Sequence, residues 1–470
     1  MGSSKPQSGR TPDEYCKDIA LTAQRIPAFK RLDEFLKQPQ RPHVSSTTIT
    51  RVRFLDGVKP QIEQNCSLAD LTRHAPNSAE NINPEVIALL GGRFDVDPQF
   101  FLDHIDNSRW YCLGDIEKHL PALKSAKVES QFLRFRFISP RELILKEPIQ
   151  VVSGRIEPDP ESTRVSRVGG ALNPTERDGA RLFPLVLTRQ SVAVWFDASK
   201  DSDGWKTGVI LLDPAFQPEK SLGQCLNPSY RMFAPRNSED IDPSYCASFI
   251  NCLRQDENLN KGGIPSPFVL LKDLYRIIAS EWIVVNTCWE RELNTIEWRL
   301  EREEPRLENL DRYLKSLFIS RRRITLYETL VQDQLSACRV HGRKFWDKSS
   351  TADESEAVAN TVDTLEMDFE FVANLLQRNA ERVARNINLL TALISVEESR
   401  VGIAKSKRLE ALTVAATVFL PFTLVASIMS MNGAFAPGQA KHWVFWAFSI
   451  PISLVVVTFH LIYRKVGSVK

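Results

Sequence analysis

Residues 411–431 read ALTVAATVFLPFTLVASIMSM, from Ala411 to Met431, and residues 443–463 read WVFWAFSIPISLVVVTFHLIY, from Trp443 to Tyr463. Each run has 21 residues, and neither contains Asp, Glu, Lys or Arg. A helix of that length rises roughly 30 Å, about the thickness of the hydrocarbon core of a bilayer. A helix packed on a water-soluble domain keeps a polar face over such a length. The two runs therefore predict two C-terminal transmembrane helices, 411–431 and 443–463, with the lipid bilayer as a partner.

The link between them, residues 432–442, is 11 residues long, so both flanks fall on one side of the membrane. Lys405, Lys407 and Arg408 precede the first span, and Arg464, Lys465 and Lys470 follow the second; the link carries Lys441 alone. The excess of Lys and Arg on the flanks places both termini in the cytoplasm and the link outside. Trp443 and Trp446 then lie near the outer interface and Tyr463 near the inner one. Pro421 and Pro451 each remove a backbone hydrogen bond in mid-span and kink the helix, which membrane helices tolerate when neighbours re-satisfy the carbonyl. The alternative reading of Pro421 is that its kink shapes the wall of a pore.

Upstream, 353–407 reads as one long helix without Pro, with Gly402 its only glycine. Val358, Val362, Leu365, Phe369, Val372, Leu376, Val383, Ile387, Leu390, Ile394 and Val401 recur mostly at intervals of 3 and 4, a coiled-coil-like seam in which Asn379 and Glu397 are the polar members. Running on into the first span, this stalk covers about 80 residues, or roughly 120 Å, and needs partner helices. Acid gathers at its start (Asp353, Glu354, Glu356, Asp363, Glu366, Asp368, Glu370) and base toward the membrane (Arg378, Arg382, Arg385, Arg400). One reading is a surface that suits the helix dipole; the sharper one is an acidic surface that senses divalent cations, with a basic collar of Lys405, Lys407 and Arg408 at the membrane. Two further helices precede the stalk, over 268–304 and 307–345, with Pro305 between them and a turn over 346–351, forming a helical arm.

The chain has 470 residues, 60 Lys and Arg against 58 Asp and Glu, and a formal net charge of +2. That near-balance argues against a nucleic-acid partner. Hydrophobic residues at 43 % and charged residues at 25 % exclude bulk disorder. The 8 cysteines and 7 histidines are scattered, without zinc-site spacing, and read as reduced thiols and isolated rings. Position 6 is Pro, which breaks the myristoylation pattern begun at Gly2, and the start has no secretory stretch.

Residues 1–45 read as a polar, partly disordered segment with one helix over 11–36. Residues 46–262 read as a cytoplasmic α/β domain with a modest sheet. Its expected strands are 48–54, 131–138, 191–196 and 207–212, the last two joined as a hairpin by the polar turn 197–205. The stretch 89–106, LLGGRFDVDPQFFLDHID, has helix-turn-helix character, and the Pro- and Gly-punctuated stretches 157–173 and 223–237 read as loops. His104 beside Asp103 reads as a helix-surface pair rather than an acid–base couple. No P-loop, dinucleotide fingerprint or nucleophile elbow occurs, so an enzyme is not expected. The fold class is thus an α+β membrane protein: the α/β domain, the arm and stalk over 263–410, the first span continuing the stalk, the outer loop 432–442, the second span, and a basic tail over 464–470.

At the end of the first span stands Ser430-Met431-Asn432, its Asn eleven residues after Pro421. An Asn at a membrane helix end, a short loop and one last span resemble the CorA magnesium channel family, which has Gly-Met-Asn at this point. The stretch Leu412 to Thr423, LTVAATVFLPFT, looks like that family's first span, and the long helix, its two predecessors and the basic tail fit its architecture. Fungal members are resembled more faintly, through FDVDPQFFLDH (94–104) and the hairpin end Leu211-Leu212-Asp213-Pro214.

The resemblance implies a homopentamer in which five first spans surround a pore lined by Leu409, Leu412, Ala416, Leu420, Thr423 and Ser427. Ser430, Met431 and Asn432 would form the selectivity mouth, with Asn432 meeting the metal, and Mg²⁺ would be the transported and also the regulatory ion, with no covalently bound cofactor. The basic collar, Lys405, Lys407, Arg408, Arg464 and Lys465, would repel cations in a closed state. With targeting signals absent, the plasma membrane is the expected location. Two departures favour the alternative of a non-conducting, membrane-anchored scaffold or sensor. Ser430 replaces the family glycine, and the loop 432–442 has no Asp or Glu. A plain hairpin-anchored protein of unrelated role is the third reading.

Overall fold

The computed structural model describes residues 10–38, 47–55, 58–64, 66, 78–80, 82–105, 132–143, 168–172, 185–196, 208–213, 226–228, 244–256, 266–302, 306–342, 352–430 and 438–467. They belong to two compact units, Met1–Glu301 with Ile319–Ala384, and Arg302–Phe318 with Arg385–Lys470.

In the first unit the helices α1 (Pro12–Arg25), α2 (Lys30–Leu36), α3 (Pro84–Phe94) and α4 (Pro98–Ile105) cover one face of a sheet. The strands are β1 (Thr48–Leu55), β2 (Val58–Glu63), β3 (Ser78–Glu80), β4 (Phe132–Leu143), β5 (Val168–Leu172), β6 (Leu185–Phe196), β7 (Gly208–Leu212) and β8 (Leu226–Pro228). They run in the order β2-β1-β3-β7-β6-β4-β8, with β5 also on β6. The β3–β7 pair is parallel and the others antiparallel.

β6 is central, and Ser191–Phe196 are buried on both faces, as a covered strand rich in Val and aromatics should be. Ala193 and Trp195 join the core under α1–α4. On the other face, Phe135, which pairs with Val192, meets Tyr275 edge-on at 4.5 Å, and Phe137 meets Tyr245 at 5.2 Å. Those rings come from α5 (Tyr245–Gln255) and, after the short α6 (Pro267–Leu270), from α7 (Lys272–Arg302).

The expected hairpin is present: Val192 pairs with Leu212 and Phe196 with Gly208, while its turn lies outside the described residues. Asp213 closes its end, accepting from the Ser191 amide at 2.6 Å. The sheet is larger than the sequence suggests. β5 and β8 lie within stretches that read as loops, because short strands take their hydrogen bonds from partners distant in sequence and leave no period of their own. The single helix expected over 11–36 is two, and they are core elements rather than a loose polar segment. Thr11 and Glu14 cap α1 reciprocally, and Tyr15, Ile19 and Ala23 are buried at i, i+4, i+8. His104 is buried rather than on a helix surface, while Asp103 takes a hydrogen bond from Gln99 at 2.6 Å.

Gly91 and Gly92 let α1 approach α3. A Cβ on Gly91 would overlap the Tyr15 ring, whose hydroxyl donates to the Val96 carbonyl at 2.8 Å, and a Cβ on Gly92 would sit 2.9 Å from the Arg10 carbonyl oxygen. Gly→Ala inside a helix ordinarily gains up to about 1 kcal/mol. Here Gly91→Ala is expected to lose about 1–3 kcal/mol by overpacking. Thermal unfolding checks this, and a melting temperature unchanged or raised would contradict the packing described.

The arm follows: α7, then α8 (Leu307–Val340), then α9 (Ala352–Ser430), a 79-residue helix, and finally α10 (Trp443–Gly467). Within the first unit the three long helices alternate in direction, since Tyr275 meets Phe369 and Asn286 meets Asn379 on parallel α7 and α9, while Trp282 meets Tyr327 on α8. The seam residues Val358, Val362, Leu365, Phe369, Val372, Leu376 and Val383 are buried, as their 3–4 spacing predicts. Arg339 of α8 pairs with Glu366 and Glu370, so part of the acidic patch is neutralised internally. In the second unit Leu310, Leu317, Ile387 and Leu390 are buried.

Candidate functional site

α9 is long and apolar enough over its C-terminal part to cross a membrane, and 11 % of its most apolar window is buried. The described apolar stretch of the second expected span, Trp443–Phe459, is shorter, although α10 itself has 25 residues. The charge-free run of α9 begins just after Glu410, a half-buried acid close in sequence to Arg408 that the reading of the collar passed over. Lys405, Lys407 and Arg408 are exposed, and the side chains of Arg464 and Lys465 lie outside the described residues.

The structure places Leu409, Leu412, Ala416, Leu420, Thr423 and Ser427 on one exposed stripe. At 3.6 residues per turn their steps of 3, 4, 4, 3 and 4 confine them to an arc of about 80°. Leu409 is 64 %, Leu412 68 % and Leu420 66 % exposed. On the opposite side Pro421 and Val425, four residues apart, are buried, flanked by half-buried Val414, Val418 and Phe422. The chain covers a narrow strip of this helix and leaves the rest open, Phe419, Leu424 and Ile428 off the stripe being exposed as well.

α10 mirrors this economy. Among its described residues Ser449 and Ser453 alone are buried, again four apart, and Pro451 is exposed. Serines at this spacing let helices approach closely. Hydroxyls elsewhere in the apolar helices turn back to the backbone: Thr413 donates to the Leu409 carbonyl at 2.9 Å and Thr417 to that of Thr413 at 2.7 Å. On the open stripe Thr423 donates to the Leu420 carbonyl at 2.9 Å, which commits its proton and leaves oxygen lone pairs outward.

Ser430 is the last residue of α9. Its hydroxyl donates to the Ser427 carbonyl at 2.9 Å, satisfying one acceptor that a helix end leaves open. Met431 and Asn432 lie outside the described residues, as does the chain through 437. Among the described residues no group of three or more His, Cys, Asp or Glu side chains is placed to hold a metal ion. The described cysteines, Cys16, Cys66, Cys246, Cys252, Cys288 and Cys338, are free thiols. On the acidic part of α9, burial raises the pKa of the Asp368 carboxyl above its ordinary value, against the opposing charge of Arg276.

Residues 247–465 match the family model described as CorA-like Mg²⁺ transporter protein. Over 117 residues the chain is 30 % identical to the magnesium transport protein CorA of Wolinella succinogenes, a match covering 24 % of this chain and 36 % of that protein. The chain thus spans about a third of the length of the curated relative it matches. Among solved structures, the CorA magnesium transporter of Methanocaldococcus jannaschii aligns with a TM-score of 0.41 at 12 % identity, over 88 % of this chain and 98 % of that one. The full-length CmaX protein aligns with a TM-score of 0.42 at 15 % identity, over 91 % and 99 %.

Proposed function

We propose that this chain, whose residues 247–465 match the family model described as CorA-like Mg²⁺ transporter protein, is a member of that family and a divalent-cation channel rather than an enzyme. In this reading it works as a homopentamer in the plasma membrane with both termini in the cytoplasm. The observation that carries it is the two-sided character of α9: an exposed stripe from Leu409 to Ser427 opposite the buried Pro421 and Val425. A helix that crosses lipid and needs copies of itself to cover one face is the natural wall of a central path.

The stripe then supplies the chemistry in sequence. Its lower part, Leu409, Leu412, Ala416 and Leu420, is apolar, and a narrow apolar tube expels water and stops a hydrated ion. Above it Thr423 and Ser427 offer oxygen atoms. At the mouth Asn432 presents neutral carbonyl oxygens. Mg²⁺ gives up water reluctantly, so a ring of amides holds the hydrated ion through its water shell and releases it. Lys405, Lys407, Arg408, Arg464 and Lys465 form a positive collar on the cytoplasmic side that repels cations when the path is narrow. Mg²⁺ at the acidic start of α9 acts as the regulatory ion.

Two observations favour the scaffold reading: Ser430 in place of glycine and the acid-free loop. The test is Mg²⁺ influx into proteoliposomes carrying the full chain, beside Asn432→Ala and Ser430→Gly. Influx abolished by Asn432→Ala supports the channel and puts its filter at Asn432. Influx only in Ser430→Gly indicates a path closed by that one side chain. No influx in any folded variant would leave the scaffold.

A further inference from the structure

Asn379 lies between the buried apolar residues Leu376 and Val383 of the α9 seam, and it is itself 3 % exposed. Its side-chain amide donates to Asn286 Oδ1 on α7 at 3.1 Å. Asn286 donates in turn to the Trp282 carbonyl at 2.9 Å. The Trp282 indole N–H donates to Gln334 Oε1 on α8 at 3.0 Å, and Gln334 Nε2 donates to the Arg136 carbonyl on β4 at 2.6 Å. Four buried side chains thus link three long helices and the sheet, the hydrogen bonds on either side of Trp282 being joined through that residue's own covalent frame.

Two properties set this chain apart from the contacts around it. First, it fits one register. Moving α9 by one turn along α7 would bring Leu376 or Val383 to Asn286 and leave a buried amide oxygen without a donor, which costs about 1–3 kcal/mol. Second, none of its members carries a charge, so neither pH nor divalent cations can release it. The neighbouring links lack that immunity. Arg382 pairs with Glu297 and Asn294, and Arg339 with Glu366 and Glu370; all but the Asn294 contact depend on carboxylates that protons or divalent cations can claim.

We propose that the Asn379–Asn286–Trp282–Gln334 chain is a register lock. It makes the sheet, α7 up to Glu301, α8 from Ile319 and the part of α9 before Arg382 move as one body. Any rearrangement that gates cation flow leaves the α7–α9 register at Asn286 unchanged. The lock stands on the geometry alone; its consequence for gating rests on the proposed channel.

The experiment uses the full chain with Glu297→Cys paired either with Arg382→Cys, which faces it, or with Arg378→Cys, one turn earlier. Glu297→Cys removes the ion pair with Arg382 in both chains, so register is held by the lock, the apolar seam and, where Arg382 is kept, its contact with Asn294. Oxidative cross-linking, read by mass spectrometry against Glu297→Cys alone, is expected to join 297 to 382 and not to 378. Adding Asn286→Leu and Asn379→Leu is expected to raise the 297–378 product about fivefold or more, the factor that 1 kcal/mol represents; Asn379→Ala serves if that chain fails to fold. Equal cross-linking at 378 and 382 in the unsubstituted background, or no new product after the lock is removed, would overturn the proposal. In proteoliposomes, the 297–382 cross-link is expected to change Mg²⁺ influx by less than about twofold, and influx lost on cross-linking and restored by reduction would overturn the gating clause. A chain that conducts nothing still gives the cross-linking answer, so the two readings fail separately.

Discussion

Leu420→Asn is expected to raise resting Mg²⁺ influx into proteoliposomes about tenfold or more over the unsubstituted chain, at equal protein density. Leu420 is 66 % exposed on the open stripe of α9, one residue before the buried Pro421. In the proposed pentamer it contributes five isobutyl groups to one level of the path. An apolar ring holds a closed path by excluding water. Five amides at that level would let water in, and a barrier lowered by only 1.4 kcal/mol is a tenfold change in rate. The matched control is Val425→Asn, on the opposite side and 7 % exposed. It places an amide in the packed face, so its expected effect is poor folding rather than leak. If both variants leak equally, or Leu420→Asn leaves influx unchanged while Asn432→Ala abolishes it, the stripe is not the wall of the path.

Trp282→Ala is expected to destabilise the first unit by about 3–5 kcal/mol, the usual cost of emptying a large buried aromatic site. The Trp282 ring is fully buried, lies 5.5 Å from the Tyr327 ring, and carries the N–H that holds Gln334. A domain with about 5–15 kcal/mol in hand loses about a fifth of it or more. Trp282→Phe separates the two contributions. It keeps most of the ring and removes the donor, leaving Gln334 Oε1 short of a partner at about 1–3 kcal/mol. Denaturant unfolding of the purified chain measures both. Equal losses in the two variants would mean that the hydrogen bond, not the ring, carries the site.

The long helices were legible because a 3.6-residue period sustained over dozens of residues arises from little besides a helix with one covered face. The hairpin of 191–196 with 207–212 was legible because its strands are apolar and close in sequence. β3, β5 and β8 were not. Three to five residues carry no period, and their bonds are supplied by β1, β7, β6 and β4. The burial of His104 was hidden by its acidic neighbour, which suggested a wet surface. The close approach at Gly91 and Gly92 was not legible because nothing in their neighbourhood announces Tyr15, far upstream in the chain. The stripe of the candidate site came from the family resemblance, its spacing being compatible with a single helical face, and the burial of Pro421 and Val425 on the other side needed a partner surface to appear. Asn379 stood out as polar in an apolar seam; its partner Asn286, 93 residues away, did not, since an Asn on a helix with several polar positions is unexceptional.

The open face of α9 also bears on inheritance. If each path is walled by five copies, a cell making equal amounts of normal and altered chain assembles few rings from normal copies alone, about 3 % under random mixing. An altered stripe residue that spoils the wall without hindering assembly then poisons nearly every ring, and its effect is dominant. An altered core residue such as Trp282 acts the other way. The chain that carries it is lost before assembly, the rings that form are normal, and the effect is recessive. The same gene would thus yield two patterns of inheritance, divided by whether the changed side chain faces the stripe or the core.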